Sequence, residues 1–202
     1  MTQPASHLRR NRLVIVTIAL ICIVPFGIAW YMARNPELVQ DRQKFNYGHL
    51  ISPARPFAYD EFFAQPFTAA ENLPEVKGRW VLIQVSGPEC GDVCRETLYK
   101  TKQLRLMLNK ELARVRRILL VPAGKAPAGL QEITAADPTL LVAGFSDRLR
   151  GQLKEASGTD LPEGTVILMD PFANVMMWYA PGFDPYGVLR DLQRLLRVSQ
   201  IG

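Results

Sequence analysis

Apolar and polar positions fall into distinct blocks along the 202-residue chain. Leu13 to Met32 is twenty residues without a charge, which predicts a single helix long enough to cross a bilayer. Asn35 to Pro56 is polar, carries Pro36, Pro53 and Pro56, and reads as a spacer. Its local run Asn46 to Pro53 is apolar enough to dock on another surface. Phe57, Tyr59, Phe62, Phe63 and Phe67 predict an edge hairpin ahead of the core. Trp80 to Val85 is β-branched and nearly uninterrupted, as a buried strand should be. Arg117 to Val121, Thr139 to Ala143 and Thr165 to Met169 repeat that signature, and Val175 to Tyr179 follows the last across the turn Asp170 to Asn174.

Two helical patterns stand out between the strands. From Arg95 onward, Leu98, Leu104, Leu108 and Leu112 recur at helical spacing with Lys100, Lys102, Arg105 and Lys110 between them. Leu189, Leu192, Leu195 and Leu196 give the C-terminal helix an apolar face, and Asp184-Pro185 supplies its cap and first residue. A shorter helix, Asp147 to Ala156, is predicted with Ser146 as its cap.

The chemistry-bearing stretch lies where the first strand gives way to the first of these helices. Ser86-Gly87-Pro88-Glu89 breaks the strand, and Cys90-Gly91-Asp92-Val93-Cys94 follows. A helix start favours anions through its free N–H groups and dipole, so a thiol placed there is activated. With both thiols on the first helical turn, their Cα atoms would stand roughly 6 Å apart, within the reach of a disulfide. The same pair could chelate a soft metal such as Cu(I).

Charge narrows the partners. The formal net charge is +5, but Arg9, Arg10 and Arg12 supply three of those charges and leave about +2 for the remainder. No basic stripe interleaved with aromatics occurs, which sets nucleic acid aside. The same three arginines, ahead of the apolar run, place residues 1–12 in the cytoplasm and the C-terminal bulk outside a bacterial inner membrane, in the periplasm. The apolar run exceeds the 7–15 residues of a signal peptide, and no A-x-A site follows it, so an uncleaved single-pass anchor over 13–32 is expected. Residues 33–56 then form the spacer and 57–202 the folded domain.

Cys22 lies inside the span as a small apolar residue. Cys90 and Cys94 would occupy an oxidising compartment, where a pair is either a structural disulfide or a redox couple. A bridge closing so few residues removes little unfolded-state entropy, which tilts the reading toward chemistry. Cys90 is then the attacking thiolate and Cys94 the resolving thiol. Asp92 and Glu89 read as solvated carboxylates, Met169, Met176 and Met177 as core filling, and Arg190, Arg194 and Arg197 as a solvated helix face.

The order strand, Cys-bearing helix, strand, further strand and helix, hairpin, helix is the plan of an α/β thioredoxin-like fold. The run from Gly78 to Cys94, G-R-W-V-L-I-Q-V-S-G-P-E-C-G-D-V-C, resembles the core motif of the Sco/SenC group. These are membrane-anchored thioredoxin-like proteins that serve copper-site assembly in cytochrome c oxidase. D-P-T-L-L-V-A-G-F-S-D (from Asp137) and I-L-M-D-P-F-A-N-V (from Ile167) resemble later segments of the group, and the likeness covers roughly Phe57 to Arg197.

The resemblance implies a membrane-anchored thiol–disulfide protein, a thiol–disulfide oxidoreductase in chemical terms, that keeps oxidase cysteine ligands reduced. An oxidase subunit or its assembly factors would be the partner. It equally admits a Cu(I) chaperone using Cys90 and Cys94, while a non-catalytic adaptor working through Tyr47–Pro53 and Phe57–Phe67 is a third reading. The group completes its copper site with a histidine shortly before the strand that begins here near Thr165. Leu161-Pro162-Glu163-Gly164 stands in its place, and the only histidines are His7 and His49. Cu(II) binding of the Sco type is therefore not expected. Pro162 is the nearest candidate for the cis-proline that thioredoxins set against their thiols.

Overall fold

The structure is a computed structural model that describes residues 5–35, 46–58, 73–122, 128–199 and 201. It divides into two units, Met1–Phe45 and Asn46–Gly202.

In the first unit, helix α1 (Ala5–Arg34) runs through Pro25. Its Asn11–Arg34 portion is long and apolar enough to cross a membrane, judged by length and composition. Arg34 places its guanidinium 4.1 Å from the centre of the Trp30 ring, an arrangement suited to a helix end where an apolar surface meets water.

The second unit is a six-stranded sheet with helices on both faces. The described elements are β1 (His49–Pro56), α2 (Leu73–Val76), β2 (Trp80–Val85), α3 (Asp92–Met107), a 3-10 turn (Asn109–Arg114) and β3 (Val115–Pro122). They continue with α4 (Leu130–Ala136), β4 (Leu140–Phe145), α5 (Asp147–Ser157), β5 (Val166–Met169), β6 (Asn174–Tyr179) and α6 (Pro185–Val198). The strand order is β1-β6-β5-β2-β3-β4. β2 pairs parallel with β3 and antiparallel with β5, so the parallel β2-α3-β3 unit and the β5–β6 hairpin meet at β2. This is the thioredoxin-like arrangement that the order of sequence blocks predicts.

Alternation along β2 sorts the core. Val81, Ile83 and Val85 face one side with Ile118, Leu120, Ile167 and Met169, under Leu149 and Leu153 of α5. Trp80 and Leu82 face the other with Val166, Leu168 and Met177, under Leu104 of α3, Leu108 at its end, and Val188, Leu192 and Leu196 of α6. Each such leucine contributes about 1.5–3 kcal/mol by leaving water. Helix α3 buries Cys94, Thr97, Leu98, Thr101, Leu104 and Arg105, a stripe at helical spacing. It stops at Leu108, and Asn109 then takes φ 52°, a left-handed conformation that Asn tolerates better than most residues.

Both expected caps are present. Ser146 Oγ accepts from the N–H of Leu149 at 3.1 Å, and the Asp184 carboxylate accepts from Tyr186 and Gly187 at 3.0 and 3.1 Å. Met169 and Met177 are buried core residues.

The spacer reading needs correction over its second half. His49–Pro56 is an edge strand, antiparallel to β6 with Leu50 opposite Met177 and Arg55 opposite Val175. The sequence hides it because Ile51 alone is buried along it and two prolines interrupt it, as an edge strand permits. The Tyr47–Pro53 stretch assigned to an adaptor's partner is thus engaged with the domain's own sheet. Asp191 of α6 anchors the approach: its Oδ2 accepts from the N–H groups of Tyr47 and Gly48 at 2.8 and 3.0 Å and from the Tyr179 hydroxyl at 3.2 Å. Burial, with the adjacent Asp191 carboxylate, pushes the Tyr179 phenol well above its ordinary value. Arg190, read as solvated, donates to the Tyr47 hydroxyl at 2.6 Å. Most of the aromatic-rich Phe57–Phe67 stretch lies outside the described residues; Phe57 itself is buried and donates its N–H to Ala173.

Candidate functional site

Cys90 and Cys94 are joined in a disulfide, with Cα atoms 5.0 Å apart. The helical placement expected for both thiols holds for one. Helix α3 begins at Asp92 after Gly91 as its cap, so Cys94 sits on the first turn and Cys90 lies ahead of the helix. Gly91 is extended (φ −67°, ψ −164°) and Cys90 takes φ 44° in the left-handed region. That pair of conformations turns the chain back on itself, and the doubled-back backbone brings Cys90 over the helix start.

The disulfide is buried. Cys90 is 1% and Cys94 2% exposed, and both pack with Leu98, Leu119, Val121, Leu140 and Val142. Ser86 Oγ lies 3.6 Å from Cys94 Sγ and donates to the Gly87 carbonyl at 2.8 Å. On the same face of β2, Gln84 is 1% exposed, and neither atom of its amide has a hydrogen-bond partner among the described residues. Outside the cysteines, Leu98, Tyr99, Ile133 and Leu140 line a shallow cavity of about 190 Å³ with Arg95 and Lys102 at its margin. Sequence reasoning missed it because helix α4, which supplies Ile133, was not predicted.

The loop before β5 is stitched to this site. Val85 N–H donates to the Thr165 carbonyl and Gly164 N–H to the Val85 carbonyl, both at 2.9 Å. Thr97 Oγ1 donates to the Gly164 carbonyl at 3.4 Å. Glu163, noted in the sequence only as standing where a histidine was expected, accepts from the Gly91 N–H at 3.0 Å. No sequence signal marks that contact, since it joins residues far apart in the chain. Asp92 and Glu89 are exposed, as expected. Among the described residues the cis peptide precedes Pro53, and Pro162 has none.

His49 is not brought to the thiols. It stacks on Trp178 with ring centroids 4.3 Å apart, and the register runs His49, Trp178, Ile167, Ile83 across β1, β6, β5 and β2. Paired residues share a face, and Ile83 and Ile167 face α5, opposite the Cys-bearing helix. Three strand spacings of about 4.8 Å also separate His49 from the β2 row. No group of three or more His, Cys, Asp or Glu side chains among the described residues is arranged to hold a metal ion. Reduction would free two thiolates, a donor set that fits Cu(I), whereas Cu(II) favours imidazole donors and His49 faces away from them.

The fold is similar to that of solved Sco1 proteins. Apo Sco1 from Thermus thermophilus matches with a TM-score of 0.55 at 19% identity, over 76% of this chain and 99% of that one. Yeast Sco1 matches with a TM-score of 0.50 at 16% identity, over 62% and 84% respectively. At such identities the likeness speaks for the fold, and it is the fold that the sequence motifs imply. No curated protein matches the chain. The profile of a protein family matches residues 80–199, which include β2, the Cys-bearing helix, the hairpin and α6. The chain belongs to the family described as transmembrane-like, thioredoxin-like, C-terminal domain.

Proposed function

We propose that this chain is a membrane-anchored thiol–disulfide protein that assists assembly of the copper site of cytochrome c oxidase. The observation that carries the proposal is the Cys90–Cys94 bridge between a strand end and the first turn of α3. In the reduced state Cys90 is the exchanging thiolate and Cys94 the resolving thiol, because Cys94 is the one held within the helix and against Ser86. The oxidase setting is supported by the Gly78–Cys94 motif and by a fold that Sco1 proteins also have. α1 would anchor the chain in the inner membrane with Arg9, Arg10 and Arg12 on the cytoplasmic side and the thiols in the periplasm.

Cu(I) is a second cargo that the freed thiolates suit. A soft ion accepts two sulfurs in a near-linear arrangement and needs no histidine.

The test uses the full chain in its host class. Cys94→Ser leaves Cys90 without a resolving thiol, so mixed disulfides with a partner should accumulate on non-reducing gels. Cys90→Ser should abolish them and lower assembled oxidase. Normal oxidase in the Cys90→Ser strain would sink the reading. Orientation is checked separately by reporters fused after Arg34: activity of a cytoplasm-only reporter there would remove the oxidising compartment and the redox role with it.

A further inference from the structure

A disulfide as buried as Cys90–Cys94 exchanges only when the segment that carries Cys90 moves. Glu163 holds that segment. One carboxylate oxygen accepts the Gly91 N–H at 3.0 Å. The other stands 2.9 Å from where a Cβ on Gly87 would lie. The carboxylate therefore closes over both ends of Gly87–Gly91, the segment that carries Cys90, and needs glycine at 87 to come so close. Its own base is fixed, because Gly164 is bonded to Val85 and approached by Thr97. Four covalent bonds separate the Gly91 nitrogen from Cys90 Sγ, so the carboxylate oxygen lies within about 8 Å of that sulfur.

We propose that Glu163 is a positioning residue for the thiol–disulfide chemistry, and the proposal rests on that reading. It latches Gly87–Gly91, the segment that carries Cys90, and sets the rate at which a partner thiolate reaches Cys90. In the gated step a dithiol reductant attacks Cys90 Sγ as its thiolate, the Cys90–Cys94 bond breaks, and Cys94 leaves as a thiolate that takes up a proton. The second thiol of the reductant then displaces Cys90 and closes its own disulfide, so two electrons pass from reductant to protein.

The rate of reduction by dithiothreitol, read by alkylation and mass on the full chain in detergent, tests the latch. Glu163→Ala removes the acceptor and should speed reduction about tenfold, roughly what one hydrogen bond to a charged group is worth. Glu163→Gln keeps an oxygen acceptor and should stay within about threefold of the wild type. Gly87→Ala, which crowds the carboxylate off while Glu163 stays in place, should speed reduction as Glu163→Ala does. It also serves as the independent variant should Glu163→Ala fail to fold. The melting temperatures of the oxidised proteins should not follow the rates.

A Glu163→Ala chain reduced at the wild-type rate overturns the latch, as does equal acceleration by Ala and Gln or acceleration that tracks lost thermal stability. Those results leave the thiol–disulfide reading standing. A folded chain whose disulfide dithiothreitol reduces in neither wild type nor variant overturns both.

Discussion

Arg117 on β3 and Asp137 ahead of β4 form an ion pair inside the domain, with side chains 1% and 11% exposed. The other two Arg117 nitrogens also donate, Nε to Thr101 Oγ1 at 3.1 Å and Nη2 to the Leu98 carbonyl at 2.9 Å. The guanidinium thus bolts the middle of α3 to the sheet, one turn beyond Cys94. Removing one partner of a buried pair strands the other charge, at a cost of about 3–5 kcal/mol. Arg117→Ala should therefore lower the denaturant midpoint sharply, and the apolar double change Arg117→Met with Asp137→Leu should recover much of the loss. A single Arg117→Ala variant within about 1 kcal/mol of wild type would mean that the pair is effectively solvated.

The same pair makes stability depend on acid. Burial alone would push the Asp137 carboxyl up, but hydrogen bonds from Thr139 and Arg117, with the charges of Arg117 and Lys102, outweigh it and hold the group below its ordinary value. A carboxyl lowered in the folded state stabilises fully above its unfolded value, about 3.9. That contribution fades as pH falls toward the lowered folded value. Stability measured from neutrality down to pH 2 should show a steeper acid loss in wild type than in Asp137→Asn. Parallel curves would show that Asp137 titrates alike in both states.

Asp191 holds three donors on one oxygen and is 2% exposed. Asp191→Ala strands two backbone N–H groups and leaves the Tyr179 hydroxyl with the Met177 sulfur alone, which should cost roughly 2–4 kcal/mol. The effect should be local first: amide hydrogen exchange at His49 and Leu50 should quicken well before that of β2 or β3. Uniform quickening across the sheet would contradict a role in securing β1.

Copper binding should divide by oxidation state. The reduced chain should take up Cu(I) in competition with a chelator, and either Cys90→Ser or Cys94→Ser should abolish the uptake. Cu(II) should bind weakly or not at all, and His49→Ala should change nothing, because His49 faces away from the thiols. A stable one-to-one Cu(II) complex that disappears in His49→Ala would overturn the assignment of faces.

Much of the domain could be read from local rules. Trp80 to Val85 is a buried run because β2 is central and covered on both faces, and Ser146 and Asp184-Pro185 act as caps wherever they precede an amphipathic stretch. What escaped the sequence depends on contacts between distant residues. Arg117 reads as a strand-edge charge until Asp137 and Leu98 close around it. Glu163 reads as an absent histidine until Gly91 is found bonded to it. Cys90 reads as helical because four-residue spacing suits a helix, yet its own backbone turns left-handed and Gly91 is extended, so the chain doubles back instead. β1 carries too few buried positions to announce a strand.

That last element has a consequence for how the protein is made. β1 leaves the ribosome first among the described strands, but its partner β6 follows roughly 120–130 residues later, a delay on the order of 6–25 s at typical synthesis rates. Through that interval β1 is an unpaired strand with nothing native to join. Pro53 and Pro56 lack the N–H donors that a foreign strand would need, and Ile51 is its lone buried side chain. The prolines that hide the strand from a reader of the sequence also make it a poor template for aggregation while it waits.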